Sequence, residues 1–233
     1  GVDSISTADI LGILRPIWQS KPETASRIRG RIEKVLDAAK AQGLRDNENP
    51  ARWKGHLDHL LPRAKKLSRG HHRAMPYADA PALLERLRSA DGMSALALEF
   101  TILTVARSGE TRGALWSEID LKAATWSIPA GRMKSGREHV VPLSDRALEI
   151  LRDLHEGRRG KIIFPESKGV PLSDMALGAV LKRMNIEATV HGFRSSFRDW
   201  AGNETGFARE LAEEALSHAI GDAVERAYRR GSA

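Results

Sequence analysis

No cysteine occurs in the 233 residues, which removes disulfides, zinc–thiolate sites, iron–sulfur clusters and thiol nucleophiles together. Aromatic residues are scarce at 5%, and only two are tyrosines, Tyr77 and Tyr228. No apolar run approaches the ~18–20 residues that cross a bilayer, and residues 1–10 are too polar and acidic for a signal peptide. A Gly-rich phosphate loop and a His-Glu-x-x-His pair are both missing, and the acids are scattered, so neither a bound metal nor a cofactor is expected. Acid is also outnumbered: 37 Lys+Arg against 30 Asp+Glu give a net charge of +7, which points to an acidic partner, nucleic acid first. With 41% hydrophobic and 29% charged residues, the composition is that of a globular chain with material for a core.

The pattern is mainly helical. Thr7 is placed to cap a short helix to Leu14, which Pro16 ends. Pro22-Glu23-Thr24 opens a second, where Ala25, Ile28, Ile32, Val35, Leu36 and Ala39 recur at helical spacing and Gly43 stands just past the end. Its other face carries Arg27, Arg29, Arg31 and Lys34, which suits solvent or a phosphate backbone. Asn49-Pro50 opens a third helix that ends at Leu61-Pro62. The stretch 62–78 holds five Lys/Arg, two His and no acid, and its Pro and Gly make it a linker between two domains.

Beyond it, 83–87 and 95–105 read as apolar helices, the second buried; Ser108-Gly109 breaks the pattern and Glu110 restarts it. Residues 119–121, 125–129 and 139–143 read as strands, with Lys134-Ser135-Gly136-Arg137 as a hairpin loop. Helices resume at 144–156, 173–184, 193–201, 208–217 and 222–230. Asp222 and Glu225 resemble a capping box for the last.

What remains for chemistry is a set of bases and one tyrosine. Arg107 ends a buried apolar helix, where its charge needs a partner. Glu110 supplies one, so Arg107 is either a structural ion pair or a guanidinium held to grip an oxyanion with two hydrogen bonds. His191 and Arg194, three apart, share a helical face as a surface pair or a phosphate clamp. Tyr228 lies among Arg226, Arg229 and Arg230, as a core residue or as a phenol that positive charge makes a better nucleophile.

Taken in order, Arg107, Lys134 in a hairpin, His191 with Arg194, His218 and Tyr228 resemble the catalytic residues of tyrosine recombinases, the phage-integrase family. The surrounding TVARSGETRGALWSEIDL, WSIPAGRMKSGREHVVPLS, HGFRSSFRDWA and LSHAIGDAVERAYRR look like integrases of bacterial prophages and genomic islands. The likeness covers roughly residues 76–230, while ETASRIRGRIEKVLDAA and NPARWKGHL are similar to the later part of that family's helical core-binding domain.

The resemblance implies a mainly α fold in which 1–62 is a partial core-binding DNA-binding domain, 63–78 a basic linker, and 79–233 a catalytic domain with a small antiparallel sheet. It implies a site-specific recombinase that integrates or excises a mobile element through a 3′-phosphotyrosyl intermediate. Tyr228 would be the nucleophile. Arg107 and Arg194 would grip the non-bridging oxygens, and Lys134, flanked by Arg132 and Arg137, would protonate the leaving oxygen. His191 would assist Tyr228 or hold the phosphate, His218 would hydrogen-bond it, and Glu110 would orient Arg107. The partner would be double-stranded DNA at attachment sites, bound as a homotetramer by the full-length protein in the bacterial cytoplasm, with no membrane. The chain starts inside the core-binding region and stops five residues after Tyr228, so it is expected to be a fragment. A non-cleaving DNA-binding protein and a type IB topoisomerase are the alternatives.

Overall fold

The computed structural model describes residues 1–62, 73–158 and 160–218. The chain divides into two compact units, Gly1–Gly70 and His71–Ala233.

The first unit is built on α1 (Thr7–Trp18) and α2 (Pro22–Ala41), which pack on each other. Ser6, not Thr7, caps α1: Asp9 Oδ2 accepts from the Ser6 backbone N at 2.8 Å, closing a capping box. Pro16 does not end that helix but sits in its last turn. The lost hydrogen bond is offset by Trp18, which is buried, stacks on Trp53 at 5.3 Å and donates from Nε1 to the Pro62 carbonyl at 2.7 Å. Ala25 and Leu36 face the core from α2, but Val35 is 63% exposed. Arg29 leaves the expected basic face: it bonds Glu33 at 2.8 Å and the Ala51 carbonyl at 2.9 Å, over the Trp53 ring. The continuous helix expected over 49–62 is broken. Lys54 is extended and Gly55 adopts φ +70°, so only the single turn α3 (Asp58–Leu60) is regular after it.

The second unit is centred on α5 (Met93–Thr104), whose Ala95, Ala97, Leu98 and Phe100 are buried on several faces, as a helix enclosed by neighbours requires. Around it lie α4 (Ala80–Arg88), α6 (Ser108–Arg112), α7 (Asp145–Glu156) and α8 (Ala176–Arg183). Phe100 anchors an aromatic cluster with Trp126 at 5.4 Å and Phe164 at 5.3 Å. Trp126 belongs to the antiparallel sheet of β1 (Ile119–Asp120), β2 (Thr125–Ile128) and β3 (His139–Pro142), in that order, with Trp126 opposite Val141. The strands fall within a residue of expectation at most ends. The alternation of buried Trp126 and Ile128 with half-exposed Thr125 and Ser127 is the period-two signal that marks them.

The last two helices among the described residues, α9 (Gly192–Glu204) and α10 (Arg209–Ala215), pack together. Arg73 and Ala74, expected within the linker, run directly over Gly192. A Cβ there would lie 2.2 Å from the Arg73 carbonyl oxygen, so only glycine admits the crossing. Thr189 N donates to that same carbonyl at 2.9 Å, and Tyr77 Oη bonds Glu204 at 2.7 Å. Residues 63–72 of the linker and the helix expected at 222–230 lie outside the described residues. Among the described residues, no helix is long and apolar enough to cross a membrane.

Candidate active site

The site is assembled where three helix ends meet. α5 stops at Val105, a β-branched residue held left-handed at φ 47°. The reversal brings Arg107 to the N-cap of α6, where Ser108 begins the helix that it was expected to break. One carboxylate fixes this turn twice: Glu110 Oε2 accepts from Arg107 N at 2.8 Å, and Glu110 Oε1 accepts from Arg107 Nη1 at 2.7 Å. The ion pair expected from the spacing is therefore present, yet it uses only part of the guanidinium. Nη2 reaches no nearer than 3.5 Å to the Ser217 carbonyl, and the side chain remains 22% exposed.

Arg194, in the first turn of α9, is 5% exposed. It donates from Nη1 to the Val105 carbonyl and from Nη2 to the Leu216 carbonyl, and Nη2 also lies 3.2 Å from His218 Nε2. These carbonyls close α5 and α10, where helix ends lack internal donors and carry partial negative charge. Among the described residues, no carboxylate touches Arg194. Its Nε is buried without a hydrogen-bond partner. Burial and then the charge of Arg107 push the Arg194 guanidinium down to about 10, against the opposing pull of Glu110 and Glu213. Two guanidiniums that repel one another, one with an unused buried donor, are an arrangement that an oxyanion would relieve.

His218 follows α10 through a tight C-terminal turn. Its backbone N donates to Glu213 O at 2.9 Å, and Ser217, left-handed at φ 49°, donates to Glu214 O at 2.7 Å, the paired bonds of a Schellman motif. That turn sets the imidazole over Glu213, with Nδ1 to Oε2 at 2.6 Å.

Arg107, Arg194 and His218 are thus brought together. His191 is exposed at the N-cap of α9, one turn from buried Arg194. Lys134 stands exposed on the β2–β3 hairpin, beyond the buried Met133, and no bond joins it to either arginine. Its neighbour Arg132 is not an uncompensated charge: it pairs with both oxygens of Glu118 and donates to the Glu110 carbonyl, tying the hairpin base to the Arg107 turn. Tyr228 lies outside the described residues.

Sequence reasoning missed two residues here. His139, at the start of β3, is half-buried and hydrogen-bonded to the Ala215 carbonyl. Burial lowers its imidazole, Arg107 and Arg194 add to this, and Glu110 opposes it. Glu213, 15% exposed, also pairs with Arg198 Nε at 2.8 Å. Burial raises its carboxyl, but the His218 hydrogen bond and Arg198 overcome this and hold it below its ordinary value. Among the described residues no cluster of three or more His, Asp or Glu is arranged to hold a metal ion.

With this geometry in view, comparison with known proteins gives the class. The model of the phage integrase family matches residues 73–233, and that of the phage integrase central domain matches residues 1–56. The chain belongs to the phage integrase family. It is similar to the prophage integrase IntA of Escherichia coli K12, 40% identical over 159 residues that make up 64% of this chain and 38% of that protein. It is also similar to IntZ of the same strain, 33% identical over 220 residues, 92% of this chain and 53% of the relative. The chain thus spans about half or less of the length of these relatives. In fold it is similar to a lambda integrase fragment crystallised as a dimer on a COC′ core site, with a TM-score of 0.65 at 22% identity, over 98% of this chain and 82% of that one.

Proposed function

We propose that the chain is the DNA-cleaving part of a site-specific recombinase. Residues 1–62 and the basic stretch 63–78 hold the duplex, and 79–233 carry out the chemistry. The observation that carries this reading is the pair Arg107 and Arg194, fixed by helix ends, with a buried unused donor and, among the described residues, no carboxylate on Arg194. Such a pair suits the non-bridging oxygens of one phosphodiester, whose charge builds in the transition state.

Tyr228 Oη attacks the phosphorus in line. A P–O bond forms to tyrosine, the bond to the 5′-oxygen breaks, and the DNA is left with a 3′-phosphotyrosyl linkage. The phenol proton passes to a base, with His191 nearest in role, and Lys134 protonates the departing 5′-oxygen when its hairpin folds in. A partner strand's 5′-hydroxyl reverses the step, so the ester energy is conserved. His218 hydrogen-bonds a phosphate oxygen. Exchange of four strands calls for four tyrosines, hence a homotetramer on two duplexes, acting where bacterial DNA lies.

The test is covalent trapping on a nicked duplex that spans the element's junction. The chain is expected to form an adduct that survives EDTA. Tyr228→Phe is expected to bind DNA as the parent does and to form none. Adducts that persist in Tyr228→Phe would overturn the mechanism, and binding without any adduct in the parent would favour a non-cleaving DNA-binding protein.

A further inference from the structure

We propose that Glu213 is a positioning residue for His218, which it holds in one tautomer with Nε2 turned to the Arg194 guanidinium. The inference rests on the reading of His218 as a phosphate-site residue, but its geometry stands separately. An ionised carboxylate only accepts hydrogen bonds and a guanidinium only donates them. With Glu213 Oε2 at 2.6 Å from Nδ1 and Arg194 Nη2 at 3.2 Å from Nε2, a neutral His218 satisfies both neighbours in one form alone: hydrogen on Nδ1, lone pair on Nε2. The opposite tautomer sets a lone pair against the carboxylate and an N–H against the arginine.

The backbone delivers this pair. His218 N bonds the carbonyl of the residue whose side chain its ring meets, so the left-handed Ser217 folds the imidazole back onto Glu213. Glu213 is itself braced from the other side by Arg198 at 2.8 Å, with Arg209 at 3.8 Å. A carboxylate that fixes the tautomer and orientation of an imidazole at a reacting centre is a known device for making one ring nitrogen available. Here the available nitrogen lies beside the guanidinium proposed to receive the phosphate. A phosphodiester oxygen only accepts, so the bond proposed from His218 to it needs a proton on Nε2, the position that this tautomer leaves open. With that proton in place, Glu213 balances the positive charge added beside Arg194 and Arg107.

The test compares the parent with Glu213→Gln, Glu213→Ala and Arg198→Ala. The imidazole nitrogens of His218 are followed by ¹⁵N NMR without DNA, above the pH at which imidazole is neutral. Single-turnover cleavage and equilibrium binding are followed on the nicked junction duplex. The parent is expected to show hydrogen on Nδ1. Glu213→Ala should lose that preference and cleave at least about 10-fold more slowly, with DNA affinity within about twofold. Glu213→Gln, isosteric and able to accept through its amide oxygen, should keep the fold and fall between. Arg198→Ala, which leaves the carboxylate in place, should keep the tautomer and cleave within about threefold of the parent. A Glu213→Ala chain that retains hydrogen on Nδ1, or cleaves as the parent does, overturns the proposal. A parent that forms no adduct removes the recombinase reading, and the tautomer signals still decide whether Glu213 sets His218.

Discussion

Two of the buried charge clusters among the described residues of the second unit are built oppositely. Glu99, fully buried on α5, takes Arg146 through two bonds, Nε at 2.8 Å and Nη2 at 3.0 Å, and Arg88 Nε at 3.0 Å. Burial alone would raise its carboxyl, but the two guanidiniums hold it below its ordinary value. Both arginines keep water contact, Arg88 at 46% and Arg146 at 30% exposed. Both carboxylate oxygens hold guanidinium donors, so the buried charge is already compensated. Arg194 is the reverse. A cation is buried, its partners are carbonyls and one imidazole, a second arginine stands close, and a donor is left over. The first is a closed pairing that joins α4, α5 and α7. The second is held open at a cost that an anion would repay. Burial and a missing carboxylate do not mark a site by themselves, since Arg45 is 4% exposed and, among the described residues, bonded only to carbonyls; what sets Arg194 apart is the second guanidinium and the imidazole beside it.

The largest effect on stability should come from the closed cluster. Glu99→Leu should cost about 2–3 kcal/mol in denaturant unfolding, less than the ~3–5 of a fully buried pair because both arginines can turn to water. Cleavage per folded molecule should be unchanged. Strain sets the next effects. Val105 and Ser217 adopt left-handed conformations that glycine takes freely, so Val105→Gly and Ser217→Gly should each raise stability by about 1 kcal/mol. If Ser217→Gly also loosened His218, cleavage would fall while the melting temperature rose.

The smallest effect is a pH dependence. The native imidazole of His139 lies below the ordinary 6.5, so between these values the unfolded chain binds more protons. Stability should fall as pH drops through that window, and His139→Gln should flatten this part of the stability profile. A slope unaffected by His139→Gln would detach that ring from the buried charge around Arg107 and Arg194.

Much of the architecture was legible because it follows from period and punctuation. The β2–β3 hairpin was read from alternation and a Gly-containing loop, and α7, expected over 144–156, runs Asp145–Glu156 behind Ser144, whose side chain accepts from Ala147 N. What failed was decided by packing or by rare backbone. Pro16 stayed helical because Trp18 is buried beyond it, and the helix at 49–62 broke because Gly55 turned left-handed. The order of Arg107, Arg194 and His218 was readable, and so was Glu110 as a partner three residues on. Glu213 was not. It sits in the polar run Glu213-Glu214, and its meeting with His218 depends on a serine adopting a glycine-like angle, which composition disfavours. His139 was read only as the first residue of a strand, since the Ala215 carbonyl it meets lies 76 positions away in the chain.

The central claim, that Arg107 and Arg194 receive a phosphate through paired hydrogen bonds, is tested most directly by Arg107→Lys and Arg194→Lys, with single-turnover cleavage and DNA affinity measured side by side. Lysine keeps the charge and loses the planar fork. Each variant that retains the parent's thermal unfolding profile should cleave about 10²–10³-fold more slowly with its affinity within a few-fold, the split of an interaction made in the transition state. A lysine variant that cleaves like the parent, or one whose cleavage and affinity fall in equal proportion, would contradict it.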